Sequence, residues 1–136
     1  MKDFPQIPKT WEELVRLRDC LTDCDALFLR LPKDNEFYAA YVKSISRNDL
    51  VDTVGKEIGD NQTAIIFNRF PYTNILQNLL EVKHYCLWSK RGPLEKKEID
   101  DLTNEKFKNM QWFYMERKIN HKSIPEIWHC HIFVKN

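Results

Sequence analysis

Ile127-Trp128-His129-Cys130-His131-Ile132-Phe133-Val134 is the stretch on which the reading of this chain turns. As a strand it sets Trp128, Cys130, Ile132 and Val134 on one face and His129, His131 and Phe133 on the other. Two imidazoles then share a surface. As a helix it would hold His129 and His131 about 200° apart, too far round to serve one site. β-branched and aromatic residues dominate the stretch, which favours the strand.

Working upstream, Lys83-His84-Tyr85-Cys86-Leu87-Trp88-Ser89-Lys90 alternates in the same way, with His84, Cys86 and Trp88 on one face and Tyr85, Leu87 and Ser89 on the other. If the two strands are neighbours, His84 approaches the His129/His131 pair. Further strands are expected over 63–68 and 111–116. In the latter, Trp112, Phe113 and Tyr114 read as core residues more readily than as a stacking platform. A helix is expected over 103–109, and the charged run 94–101 after Gly92-Pro93 reads as a solvated connection.

Before residue 60 the period is helical. Thr10 and Glu13 form a T-x-x-E capping box for a helix whose stripe is Trp11, Leu14, Val15 and Leu17 and which ends before Cys24. After a loop containing Pro32, Phe37, Ala40, Tyr41 and Ile45 mark a helix over 35–46. Asn48 is the expected cap of a third helix, carrying Leu50, Val51, Val54 and Ile58 and ended by Gly59. Helices first and strands later predict an α+β fold, with N-terminal helices (about 10–59) packed on a mainly antiparallel sheet (about 60–136).

Size and composition agree with one domain. The 136 residues are 43% hydrophobic and 30% charged, close to globular averages. Twenty-one basic and 20 acidic side chains leave a net charge of +1, which gives no field of one sign for duplex DNA. No apolar segment has the length to span a bilayer, and the first residues lack a signal-peptide core, so a cytoplasmic or nuclear location is expected. Four scattered cysteines suit reduced thiols. Cys20 and Cys24 have a C-x3-C spacing that a zinc site can use, with buried small side chains as the plainer explanation.

The chemistry-bearing candidates fall into one group. His84, His129 and His131 form the expected cluster. Asn68-Arg69-Phe70-Pro71-Tyr72 closes the strand before it, and there the Asn68 amide and Arg69 guanidinium suit a sugar hydroxyl or phosphate, while Asn and Pro also suit a simple turn. Trp88, Tyr72 and Lys90 complete the expected ligand-binding set. With three glycines in the chain and no Gly-rich phosphate loop, no Ser-His-Asp order and no H-E-x-x-H, dinucleotide-binding, P-loop and zincin chemistries are disfavoured. No metal or other cofactor is expected, because the histidines lack an evident fourth ligand and carboxylate partner.

These residues resemble the DUF3605 family, known from fungi and including an N-acetylglucosamine-induced protein. The match runs from Thr10-Trp11-Glu12-Glu13-Leu14, through Asn68-Arg69-Phe70-Pro71-Tyr72 and His84-Tyr85-Cys86-Leu87-Trp88-Ser89-Lys90, to His129-Cys130-His131. That resemblance implies a fold neighbourhood and no established activity. The order N-x-x-P, H-x5-K, H-x-H is also similar to the histidine-triad (HIT-like) nucleotide hydrolases and transferases, whose last strand carries H-x-H-x-H. The similarity implies His131 as nucleophile, His129 as the first histidine and Asn68 as a nucleotide contact. Phe133 stands where the third histidine belongs, with His84 or Lys90 as spatial substitutes.

The resulting expectation is a site for a nucleotide or other phosphate-bearing small molecule, acting as a phosphoester hydrolase or transferase in which His131 attacks phosphorus. The alternatives are a non-catalytic module that binds a ligand or a protein, and a metal enzyme with His84, His129 and His131 as ligands.

Overall fold

The computed structural model describes residues 7–18, 28–116, 124 and 126–135. These form helices α1 (Trp11–Arg18), α2 (Pro32–Ser44), α3 (Arg47–Ile58) and α4 (Lys96–Lys106), and strands β1 (Thr63–Phe67), β2 (Val82–Ser89), β3 (Gln111–Met115) and β4 (Trp128–Lys135). Cys20 and Cys24, and with them the C-x3-C spacing, lie outside the described residues. The strands make one antiparallel sheet in the order β1-β2-β4-β3, so the fold is α+β with helices packed on a sheet.

Strand alternation, carried through the register, assembles the sheet's first face in rows. Ala64 lies beside Trp88 and then His129, and Ile66 beside Cys86, His131 and Met115. His84 lies beside Phe133 and Phe113. Trp11 and Leu14 of α1 bury against the Phe113 and Phe133 end of this face, together with Phe28, Tyr72 and Ile75. Removing a side chain such as Leu14 from water contributes roughly 1.5–3 kcal/mol. Leu50, Val54 and Ile58 of α3 cover the other end, against Cys86 and Trp88.

The opposite face corrects one expectation. Residues 94–101 are not a solvated connection, since α4 begins at Lys96 inside that run and ends at Lys106, three residues short of the expected end at 109. The cause is a stripe that the charges obscured: Ile99, Thr103 and Phe107 recur at helical spacing and bury with Leu94 against Leu87, Cys130, Ile132 and Val134. Asn109, with φ of 65°, is in the left-handed region and belongs to the turn into β3. The sheet thus has helices on both faces, rather than on the N-terminal side alone.

Local capping explains the other boundaries. In α1 the amide of Glu13 donates to Thr10 Oγ1 at 3.1 Å, and Glu13 Oε2 accepts from the Lys9 amide at 2.9 Å, one residue earlier than in a strict capping box. The cap of α3 is Ser46, whose Oγ accepts from the Asp49 amide, and not Asn48. Pro32 opens α2 instead of sitting in a loop before it, because proline's missing N–H costs nothing in a first helical turn. None of the α2 residues is fully buried, and Phe37 is 75% exposed.

Candidate functional site

The register brings His84 and His131 together on adjacent strands, and the connection from β1 to β2 lays Tyr72 across both. The backbone N–H of Tyr72 donates to His84 Nδ1 at 3.1 Å. His84 Nε2 lies 2.8 Å from His131 Nδ1, and His131 Nε2 lies 3.0 Å from the Tyr72 hydroxyl. All three residues are buried.

One donor fixes the direction of the chain. A backbone N–H can only donate, so His84 Nδ1 is an acceptor and the proton of its neutral ring is on Nε2. His84 Nε2–H therefore donates to His131 Nδ1, and neutral His131 carries its proton on Nε2, donating to Tyr72 Oη. Burial, with the positive charge of Arg30 and the nearby His129, holds His84 well below the ordinary imidazole range, which keeps that ring neutral. The ring also stacks on Phe133, with centroids 4.5 Å apart and planes 16° from parallel. His84 is thus the direct cross-strand neighbour of Phe133.

Cys86 completes the buried cluster. Its Sγ lies 3.6 Å from His131 Nδ1 and accepts from Asn68 Nδ2 at 3.5 Å. Burial pushes this thiol up to about 12, against smaller opposing effects of Arg30 and the Asn68 amide, so it is protonated at neutral pH. Asn68 is fixed by its other end, where Oδ1 accepts from the Phe70 amide at 2.8 Å in an Asx turn. Its Nδ2 also comes within 3.4 Å of His84 Nε2, a contact between two N–H groups in the tautomer just assigned.

His84, Cys86 and His131 bring their ligand atoms within 4.8 Å of one another, close enough to raise the question of a metal ion. The donor chemistry does not fit. A metal on His84 Nε2 would require Nδ1 to carry the proton, and metal-bound histidines direct that N–H at an acceptor. Here Nδ1 faces the N–H of Tyr72. His129 is not part of this group.

His129 has the opposite tautomer. Its Nδ1 lies 3.1 Å from the carbonyl of Ile127, which can only accept, so in the neutral ring Nε2 carries the lone pair. The ring packs on Trp88 with centroids 4.2 Å apart. His129 and His131 with Tyr72 and Cys86 form the floor of a cavity of about 110 Å³, walled by Leu50 and Val54 of α3, by Ile66, Trp88 and Ile124, and bounded by Tyr38, Tyr41, Phe70, Arg30 and Arg69.

Of the residues singled out from sequence, Asn68, Arg69, Tyr72, Trp88, His129 and His131 line this cavity, and His84 stands behind His131. Arg69 is at its exposed edge, paired with Glu57 at 2.9 Å. Lys90 is not brought to the site: its exposed ammonium reaches the carbonyl of Gly59 at the end of α3. Arg30 was not legible beforehand. Its Nε donates to the carbonyl of Phe70 at 2.8 Å, and its guanidinium lies 3.9 Å from the Tyr38 ring centroid and 5.4 Å from that of Tyr72. Tyr38 and Tyr41 have a sequence signal, since they recur three residues apart on α2, but nothing in that spacing tells a cavity wall from a core stripe.

No protein-family model matches the chain, and no curated protein matches it. Among the described residues, no helix is long and apolar enough to cross a membrane. Among solved structures the chain is similar to the crystal structure of HTC1, with a TM-score of 0.66 and 17% identity, over 93% of this chain and 84% of that one. At that identity the likeness supports the shared fold of helices on an antiparallel sheet.

Proposed function

We propose that the cavity above His129 and His131 binds a small phosphate-bearing molecule, and that the protein is a DUF3605-like phosphoester hydrolase or transferase of the cytoplasm or nucleus. The observation that carries this reading is the meeting of Tyr72, His129 and His131 on one cavity floor with the Arg30 guanidinium at its edge. A guanidinium with hydrogen-bond donors around it suits a phosphate oxygen. The Tyr72 hydroxyl as donor and His129 Nε2 as acceptor suit the two proton transfers that hydrolysis needs.

Within this proposal the roles differ from a direct nucleophilic attack by His131. Both ring nitrogens of His131 are engaged, Nδ1 accepting from His84 and Nε2–H donating to Tyr72. Attack on phosphorus needs a lone pair, and this ring directs a proton at Tyr72 instead. The two histidines and Tyr72 therefore form a donor chain, with the Tyr72 hydroxyl supplying the leaving oxygen's proton and the His131 Nε2–H bond stabilising the phenolate until solvent reprotonates it. His129 Nε2 takes the proton of the attacking water, whose oxygen bonds to phosphorus as the ester bond breaks. Solvent returns both sites to their starting state.

The same engaged nitrogens favour a second reading, a binding module without turnover. Hydrolysis assays over simple phosphomonoesters and nucleotides, run beside a thermal-shift screen, separate the two. Under the enzyme reading His129→Ala loses turnover while ligand affinity stays within a few-fold, because a proton acceptor is lost and most ground-state contacts remain. Ligand-induced stabilisation with every substrate left intact by the wild-type chain leaves the binding module. No shift from any phosphate compound defeats both.

A further inference from the structure

Resting on that phosphate reading, we infer that the site selects a compound with a single phosphoryl group whose organic part is a flat ring, held at the mouth by Tyr41 and Phe70. The chamber is the first constraint. At about 110 Å³ it is small beside typical small-molecule pockets of roughly 300–1,000 Å³. It holds one compact group, and the rest of the ligand must lie outside.

Charge is the second constraint. Arg69 is shared with Glu57, whose carboxylate is also at the cavity edge. That pairing offsets the charge of Arg69, while His84 is neutral and Cys86 protonated. Arg30 stands at the same edge and acts on both His84 and Cys86, so its charge reaches the floor. A second phosphate would put further negative charge against Glu57.

The mouth supplies the third. Tyr38, Tyr41 and Phe70 are half-buried and ring-packed, with Phe70 lying 5.1 Å from Tyr38 and 5.2 Å from Tyr41 between centroids. The Tyr41 and Phe70 planes are only 30° apart. Arg30 covers Tyr38 closely at 3.9 Å, whereas Arg69 stands farther off Tyr41 at 6.0 Å, so the Tyr41 and Phe70 pair is the better surface for a planar group leaving the chamber. Aromatic faces bind flat rings by stacking whatever their substituents, and bind an open alkyl chain less well.

Calorimetric titration of the full chain at neutral pH with inorganic phosphate, glycerol phosphate, phenyl phosphate and pyrophosphate tests the inference. Phenyl phosphate is expected to bind roughly tenfold more tightly than glycerol phosphate, the gain of one modest stacking contact. Pyrophosphate is expected to bind no better than inorganic phosphate. Tyr41→Ala should bring phenyl phosphate and glycerol phosphate to equal affinity, and Phe70→Leu serves if that variant does not fold. Equal affinity for the two esters, a preference that survives both variants, or tight pyrophosphate binding overturns the inference alone. Failure of inorganic phosphate and of every ester to bind overturns the phosphate reading beneath it.

Discussion

Tyr72 meets both ends of the two-histidine chain, its amide fixing His84 and its hydroxyl receiving the His131 proton. Tyr72→Phe keeps the ring and its packing but takes the acceptor from His131 Nε2–H inside a buried site. The expected cost is about 1–3 kcal/mol, the usual penalty for a buried donor deprived of its partner. Urea denaturation measures it, and an unchanged midpoint would mean that the 3.0 Å contact is not a hydrogen bond. At this scale the sequence was informative about residue identity and less about role. His129 and His131 were legible as a shared face, because alternation on a strand is a strong signal. Their proton positions were not, since those depend on the Tyr72 amide and the Ile127 carbonyl, backbone groups that no side-chain pattern encodes. Arg30 escaped notice for a related reason. It has no motif, and its position depends on a hydrogen bond to Phe70, 40 residues away.

Helix α2 is the element whose behaviour should depart most from its neighbours. It closes one side of the cavity through Tyr38 and Tyr41, yet it buries no residue fully, while α3 buries Leu50, Val54 and Ile58. Its N-terminal end is tied down: the Leu31 amide donates to Thr73 Oγ1, and the Thr73 hydroxyl donates to Asp34 Oδ2. With little apolar burial to oppose opening, the α2 amides from Phe37 onward are expected to exchange with deuterium faster than those of α3. Bound phosphate ester should slow them. Equal protection in the two helices would contradict this assignment. The elements themselves were largely readable. All four strands fall where alternation put them, to within one or two residues, because their side chains divide cleanly between two buried faces. The misplaced α4 shows the limit: five lysine and acidic residues in its first two turns masked a stripe whose apolar partners are on β2 and β4. Periodicity could show an α2 stripe but not whether anything covered it.

For the whole molecule, packing helices on both faces of the sheet is what buries the histidine row, and burial couples folding to pH. His84 is 1% exposed and its pKa in the folded chain is depressed below the ordinary 6.5. Below 6.5 the unfolded chain takes up a proton that the folded chain refuses, so stability is complete above this value and is lost as pH falls. One proton of difference gives a slope of about 1.4 kcal/mol per pH unit until the folded-state value is reached. Denaturation midpoints measured from pH 7 down to pH 5 should therefore fall, and should fall less steeply in His84→Gln. A flat profile would mean that His84 takes up its proton as easily folded as unfolded. The architecture was legible from the switch between helical and alternating periods, whereas the second helical layer was not, because it depends on the single misread segment. The tautomers of the buried chain are the point on which the donor assignment, the exclusion of a metal and the proposed acid and base all rest. A long-range proton–nitrogen correlation spectrum of the histidine rings at neutral pH reads them directly. The account predicts neutral rings with the proton on Nε2 in His84 and His131 and on Nδ1 in His129. A proton on Nδ1 of His84 would contradict it, because that nitrogen could not then accept from Tyr72 and Nε2 would be open to a metal or a substrate.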